Sequence, residues 1–76
     1  MIGANIRRIR TAQKMTQSAL AEKSGVSVQM INQIEWGTKV PSVPTLVRIA
    51  QALQCSTDEI LSEEGQDGAI NKSAGG

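Results

Sequence analysis

Residues 17–35 decide the fold of this chain, and they read QSALAEKSGVSVQMINQIE. Thr16 stands just before the segment and is a preferred N-cap residue for a helix over Gln17–Ser24. Gly25 ends that helix, because glycine readily takes the left-handed conformation found after a helix C-terminus. Ser27 then caps a second short helix. Two short helices joined by a turn that begins with glycine form a helix-turn-helix.

The remaining sequence predicts three more helices and no strands. Isoleucines spaced by three or four residues mark a first helix over residues 4–13, and the second helix of the motif runs to Trp36 before Gly37. Residues 41–44 open a fourth helix, whose prolines fit a first turn. Ser56 begins a capping box ahead of a fifth helix. We therefore expect an all-α fold of five short helices.

The predicted core is aliphatic, and the chain end differs from the rest. The expected core residues are Ile6, Ile9, Leu20, Ala21, Val26, Ile31, Ile34, Leu46, Ile49, Leu53, Ile60 and Leu61. Residues 65–76 are rich in glycine and have no helical period. We expect one domain over residues 1–64, followed by a flexible tail or a truncated linker over residues 65–76.

The composition excludes several classes of function. The chain has 76 residues, no histidine and one cysteine, so a four-ligand zinc site, an intrachain disulfide and histidine acid–base chemistry are excluded. No apolar stretch is long enough to span a membrane, and the N-terminus lacks the apolar region of a signal peptide. The sequence therefore predicts a cytoplasmic protein without a metal, a cofactor or enzymatic activity.

The net charge of +1 conceals an asymmetry along the chain. Residues 1–48 carry a net charge of +5, whereas residues 49–76 carry −4. A basic first part is what a surface that binds a polyanion requires. Uneven scatter of charges on a small domain is the alternative interpretation.

The second helix of the motif has two unlike faces. At about 100° per residue, one half is apolar apart from Glu35 and turns toward the core. The other half carries no charge and consists of Val28, Gln29, Asn32, Gln33 and Trp36. A solvated face would normally carry Lys and Glu, whereas amides can pair with the adenine edge and a valine can meet a thymine methyl group. This pattern predicts a face that reads DNA bases, with a polar protein interface as the alternative.

Several spaced motifs together resemble a known family. They are Ile6-x-x-Ile9-Arg10, Met15-Thr16-Gln17-x-x-Leu20-Ala21, Ser24-Gly25-Val26-Ser27, Ile31-x-x-Ile34-Glu35-x-Gly37, Pro41-Ser42, Leu46-x-x-Ile49-Ala50-x-x-Leu53 and Ile60-Leu61. In this spacing the chain resembles the Xre/Cro-type helix-turn-helix domains of phage and bacterial repressors. The resemblance implies a compact, lambda-repressor-like domain that places its third helix in the major groove of double-stranded DNA.

The resemblance also implies roles for individual residues. The implied base-contacting residues are Ser27, Val28, Gln29, Asn32 and Gln33. The expected phosphate-contacting residues are Arg10, Thr16, Gln17, Thr38, Lys39 and Val40, together with Trp36, which departs from the family but lies on the same side of the third helix. In the family, the residue at Gln17 holds a phosphate and orients its neighbour, and the loop after the third helix grips phosphates through backbone N–H groups and basic side chains. Arg10 and Glu35 match a buried or half-buried ion pair.

Three positions invite a separate interpretation. Trp36 replaces the small polar residue that is usual before Gly37, and it suits a sugar–phosphate edge or a protein partner. Lys39 is the only basic residue of a loop that is often richer in them, which predicts weak non-specific affinity. Cys55 fits a small buried apolar side chain better than a reactive thiol.

We expect a sequence-specific DNA-binding transcriptional regulator, a repressor that binds an inverted-repeat operator as a homodimer. The alternatives are an antitoxin that neutralises a toxin protein and regulates its own synthesis, or an adaptor that uses the same surface for a protein. The adjacent Ile60 and Leu61 cannot both point inward from one short helix. We therefore expect the homodimer contact around the fifth helix.

Overall fold

The computed structural model describes residues 1–62, and this part of the chain is all α-helical, as predicted. The five helices are α1 (Ile2–Ala12), α2 (Gln17–Ser24), α3 (Val28–Trp36), α4 (Val43–Leu53) and α5 (Thr57–Leu61). Helix α1 begins two residues earlier than expected and ends one residue earlier. The end of the predicted domain and the predicted tail over residues 65–76 lie outside the described residues.

Side-chain caps fix where four of the helices begin. The hydroxyl oxygens of Thr16, Ser27, Ser42 and Ser56 each accept a hydrogen bond from the backbone N–H three residues later. Glu59 completes the capping box by accepting from the Ser56 N–H. Because each cap satisfies a donor that would otherwise lack a partner, these boundaries are set locally by the sequence.

Each of the two helices of the helix-turn-helix ends at a glycine in the left-handed conformation. Gly25 closes α2 with φ 73°, and Gly37 closes α3 with φ 85°. A residue with a Cβ pays a steric cost in this conformation, which glycine avoids. Helix α3 therefore has a side-chain cap at its start and a glycine stop at its end.

One aliphatic core joins all five helices. Helix α1 packs on α3 and α5, α2 packs on α3 and α4, and α4 packs on α5. The buried apolar residues are Ile6, Leu20, Ala21, Val26, Ile31, Ile34, Leu46, Ile49, Ala50, Leu53 and Ile60. The predicted core was wrong at Leu61, which is 46% exposed, and it left out the buried Ala50. Ile9 packs against the core but is only partly buried. Ile60 takes the inward side of α5, which leaves the next residue facing outward.

Contacts between distant parts of the chain fix the position of α1 against α5 and α3. The buried Asn5 side-chain amide donates to the Ile60 and Ser62 carbonyls at 2.7 and 2.8 Å, which ties α1 to the end of α5. A Cβ at the buried Gly3 would overlap the backbone carbonyl of Ile34. Helix α1 therefore crosses the end of α3 at a distance that only glycine permits.

Candidate nucleic-acid interface

The predicted base-contacting residues lie on the outer side of α3, and they differ in how exposed they are. Ser27, Val28 and Gln29 are exposed at the start of the helix, while Asn32 and Gln33 are half-buried one turn later. The buried face of the same helix carries Ile31 and Ile34. The outer face thus presents uncharged polar groups and one small apolar group, as base-edge contacts require.

The hydroxyl groups of Thr16 and Ser27 cap α2 and α3, and each keeps its own O–H hydrogen available for donation. Thr16 Oγ1 accepts from the Ala19 N–H at 3.0 Å, and Ser27 Oγ accepts from the Met30 N–H at 3.0 Å. A hydroxyl group that accepts in this way keeps its own hydrogen for donation. Each exposed hydroxyl can therefore still donate to a phosphate or a base acceptor.

A buried ion pair joins α1 to α3, the helix that carries the interface. Arg10 Nε donates to Glu35 Oε2 at 2.7 Å, and Arg10 Nη2 donates to Glu35 Oε1 at 2.9 Å. The two side chains are only 11% and 3% exposed. The remaining guanidinium nitrogen, Arg10 Nη1, donates to the Met15 carbonyl at 2.8 Å. The hydrogen bonds that Arg10 donates to Glu35 raise the pKa of Arg10, although burial alone would lower it, so the guanidinium stays charged.

Hydrogen bonds continue from this ion pair to the outer face of α3. Gln17 Nε2 donates to Glu35 Oε1 at 3.1 Å, and Asn32 Nδ2 donates to Gln17 Oε1 at 3.4 Å. We call the four residues Arg10, Glu35, Gln17 and Asn32 the amide relay. The family resemblance implied that Gln17 orients a neighbour, and in this chain the side chain in hydrogen-bond contact with it on α3 is Asn32.

The loop after α3 uses part of its hydrogen-bonding capacity to close the helix. The backbone N–H groups of Thr38 and Lys39 donate to the Gln33 carbonyl at 3.0 and 3.3 Å. The Thr38 hydroxyl donates to the same carbonyl at 3.0 Å. Lys39 and Val40 are exposed. The loop therefore offers the Lys39 ammonium group to a phosphate, while two of its backbone donors serve the helix end.

A shallow cavity of about 190 Å³ lies at the edge of this surface and adds a residue that the sequence did not single out. Its lining residues are Arg7, Arg10, Gln17, Glu35 and Trp36. The Trp36 indole is 75% exposed, and Arg7 is exposed as well. Arg7 precedes Arg10 by one helical turn, so the i,i+3 spacing could have indicated that both reach the same face.

Two other kinds of site have no counterpart in the part of the chain that the structure covers. Within residues 1–62, no group of three or more His, Cys, Asp or Glu side chains is placed to hold a metal ion. No helix of that range has the length and apolar character needed to cross a membrane.

Comparison with known proteins identifies the family. The helix-turn-helix family model matches residues 6–60, and the chain belongs to this family. An uncharacterized HTH-type transcriptional regulator of Sinorhizobium fredii is 36% identical over 62 residues, which cover 82% of this chain and 80% of that protein. The immunity repressor of Bacillus phage phi105 is 38% identical over 63 residues, covering 83% of this chain and 44% of the repressor.

Solved structures agree with this assignment and show that the fold is that of the repressor DNA-binding domains. The N-terminal DNA-binding domain of SinR from Bacillus subtilis matches with a TM-score of 0.81 and 31% identity, over 87% of this chain and 97% of that one. The P22 c2 repressor in complex with a synthetic operator matches with a TM-score of 0.78 and 36% identity, over 84% and 97% of the two chains. A complex of SinR with SinI contains a chain that matches with a TM-score of 0.80 and 33% identity, over 88% and 68%.

Proposed function

We propose that this chain binds a specific DNA sequence as a transcriptional repressor, with α3 in the major groove. The observation that carries the proposal is the outer face of α3, which is exposed in its first turn, free of charge and rich in amides. Amides serve base edges well, whereas a face that is merely solvated would carry charges. The P22 c2 repressor, whose structure with an operator matches this fold, supports the same role.

Within this proposal, base contacts and phosphate contacts come from different elements. Gln29 is exposed in the first turn of α3, where its amide can satisfy adenine N6 and N7 together. Lys39 is exposed in the loop beyond Gly37, off the helix, where its ammonium group suits a phosphate. Gln29 should therefore determine which sequence is bound, and Lys39 should contribute to the binding of any sequence.

The experiment compares Gln29→Ala with Lys39→Ala on two duplexes. An operator is first selected from random duplexes with the wild-type chain, and a scrambled duplex of equal length serves as the reference. Gln29→Ala should weaken operator binding by about 1–3 kcal/mol and leave the scrambled duplex almost unchanged. Lys39→Ala should weaken both duplexes alike and lower the slope of log K against log salt by about one unit per subunit.

Three results would contradict the proposal. The placement of α3 is wrong if Gln29→Ala weakens both duplexes equally while Lys39→Ala changes the base preference. Unaltered operator binding after loss of the α3 amides would favour the adaptor function. Tight capture of a toxin encoded beside this gene, together with DNA binding that depends on that toxin, would favour the antitoxin function.

We also propose that two copies bind the operator as a homodimer through the α5 end of the domain. Leu61 is a large apolar side chain that α5 leaves 46% exposed, although the adjacent Ile60 is fully buried. Two recognition helices in successive major grooves would lie about 34 Å apart, one turn of DNA. Sedimentation of the chain with an operator of two half-sites should give two copies per duplex, and Leu61→Lys should reduce this to one. A monomer that occupies the complete operator at one copy per duplex would refute the homodimer.

A further inference from the structure

The shallow cavity beside α3 has one uncompensated charge and one apolar wall. Its lining residues are Arg7, Arg10, Gln17, Glu35 and Trp36. Because Arg10 and Glu35 form an ion pair, their charges offset each other, and Arg7 supplies the net positive charge of the cavity. The Trp36 indole, the only aromatic side chain of the protein, is 75% exposed and supplies the apolar wall. The cavity therefore suits a ligand that is anionic on one side and apolar on the other.

Hydrogen bonds within the protein occupy the other polar groups of this cavity. The three guanidinium nitrogens of Arg10 donate to Glu35 and to the Met15 carbonyl, and the Arg10 side chain is only 11% exposed. Both polar atoms of the Gln17 amide are engaged in the amide relay. Arg7 is exposed, and its guanidinium has no hydrogen-bond or ion-pair partner in the described part of the chain. The cation that is available to an incoming anion is therefore Arg7.

In the proposed complex with DNA, the length of α3 brings Trp36 to the border of the major groove. Trp36 lies on the same side of the helix as Val28 and Gln29 and follows Val28 by eight residues. At about 1.5 Å per residue this separation is about 12 Å, which is roughly the width of the major groove. The first residues of a recognition helix contact base edges. With Val28 over the bases, Trp36 therefore reaches the sugar–phosphate backbone beside them.

We propose that Arg7 and Trp36 bind one sugar–phosphate unit of the DNA backbone at the border of the groove. This inference rests on the proposed function and adds a contact that is the same for every base sequence. The Arg7 guanidinium donates to the phosphate oxygens, which its planar fork can meet two at a time. The indole covers the apolar carbons of the adjacent deoxyribose. Because the small polar residue that is usual at this position offers no such surface, the sugar contact is particular to this chain.

The two halves of this contact respond differently to salt. Pairing of Arg7 with a phosphate releases condensed counterions, so its contribution to the affinity falls as the salt concentration rises. Packing of the indole on a sugar removes apolar surface from water and releases no counterion. The slope of log K against log salt therefore separates the role of Arg7 from the role of Trp36.

Three variants compared on the selected operator and on the scrambled duplex test this contact. Trp36→Ala should weaken both duplexes by the same factor, at least about fivefold, and leave the salt slope unchanged. Arg7→Ala should also weaken both duplexes alike, but it should lower the slope by about one unit per subunit. Arg48→Ala is the control with the same loss of charge, because Arg48 is exposed on α4, which carries no predicted DNA contact. It should leave the slope unchanged, and melting temperatures show that each variant is folded.

The fluorescence of Trp36 reports the sugar contact directly, because the chain contains no other aromatic side chain. Covering an indole that is 75% exposed removes water from it, so its emission should move to shorter wavelength when DNA binds. The shift should occur with the operator and with the scrambled duplex. It should also persist at saturating DNA in Lys39→Ala, which loses a different phosphate contact.

Operators with one uncharged methylphosphonate in place of a phosphate locate the contact along the backbone. Each phosphate of one half-site is replaced in turn, and the dissociation constants of the wild type, Arg7→Ala and Lys39→Ala are measured. One replacement should weaken binding by the wild type and by Lys39→Ala but have no effect on Arg7→Ala, because the partner of that phosphate is already absent.

The results that overturn this contact differ from those that overturn the proposed function. Unchanged affinity of Trp36→Ala for both duplexes would overturn the contact and favour a protein partner for the exposed indole, while a retained preference for the operator would leave the proposed function intact. A change of base preference in Trp36→Ala would also overturn the contact, because it would place the indole over the bases. A wild-type chain that binds operator and scrambled duplex equally would overturn the proposed function alone, since the sugar–phosphate contact is measured on both duplexes.

Discussion

Removal of Arg10 alone should destabilise the domain severely. In Arg10→Met, the Glu35 carboxylate stays where its side chain is 3% exposed, and it loses both hydrogen bonds from the guanidinium. One bond remains, from Gln17. Breaking a buried ion pair by removing one partner costs about 3–5 kcal/mol, because the other charge is left without compensation.

The size of the domain makes this loss decisive. At roughly 0.05–0.15 kcal/mol per residue, the described part of the chain should have an unfolding free energy of about 3–9 kcal/mol. For a domain of this size, about 1 kcal/mol moves the melting temperature by 4–8 °C. We therefore expect Arg10→Met to melt at least about 12 °C below the wild type, or to lack a cooperative transition at 25 °C.

Three variants measured by thermal and urea denaturation complete the test. Arg10→Met with Glu35→Leu should recover part of the lost stability, since it removes the unpaired charge. Recovery should be incomplete because the Met15 carbonyl and the Gln17 amide each lose a partner. Arg7→Met is the control, because it makes the same chemical change at an exposed arginine one helical turn before Arg10 and should alter stability by less than about 0.5 kcal/mol. Equal melting temperatures for Arg10→Met and the wild type would show that the pair contributes nothing to stability.

Other features of the structure give further expectations for stability. Gly3→Ala should lower the unfolding free energy, measured by urea denaturation, by about 1–3 kcal/mol, because its Cβ would overlap the backbone of α3. Gly25→Ala has open space around its Cβ but φ 73°, so it should lower the unfolding free energy by only about 1–2 kcal/mol through backbone strain. A smaller loss for Gly3→Ala than for Gly25→Ala would contradict the close helix crossing. Gln54 ends α4 with φ 56°, so Gln54→Gly should raise the unfolding free energy by up to about 1 kcal/mol, and a loss would mean that the left-handed conformation is not strained. Burial, together with the charge of Glu59, raises the pKa of the Cys55 thiol above its usual value. The stability that this shift contributes is complete below the pKa of the unfolded thiol, about 8.5, and is lost as the pH rises through the higher pKa of the folded thiol. Cys55→Ala should therefore show a shallower fall in melting temperature above pH 9 than the wild type, and parallel profiles would refute this assignment.

The helix boundaries could be predicted from the sequence because they depend on nearby residues. A capping hydroxyl acts on an N–H three residues later, and a glycine stop acts at its own position, so Ser27 and Gly37 mark α3 without reference to the rest of the fold. The helical period also indicated which side of α3 is apolar. Both signals act within one or two helical turns.

The errors and omissions concern contacts between distant residues. Leu61 was assigned to the core on its apolarity, yet only the packing of α5 against α1 and α4 decides which of two adjacent apolar residues is buried. The bond from Gln17 to Asn32 joins residues on different helices, so no local period indicates it. The bond from Asn5 to Ile60 spans 55 residues. Such contacts follow from the complete fold and not from a pattern in one segment.

The amide relay has a consequence for how the DNA preference of this chain can change over generations. A substitution at Gln29 alters a side chain that packs on little else, so a lineage can try many residues there at small cost. A substitution at Asn32 leaves the Gln17 oxygen without its donor, and a substitution at Gln17 disturbs the partner of the Glu35 carboxylate. New preferences should therefore arise readily at Gln29, whereas drift at Asn32 should require a paired change at Gln17.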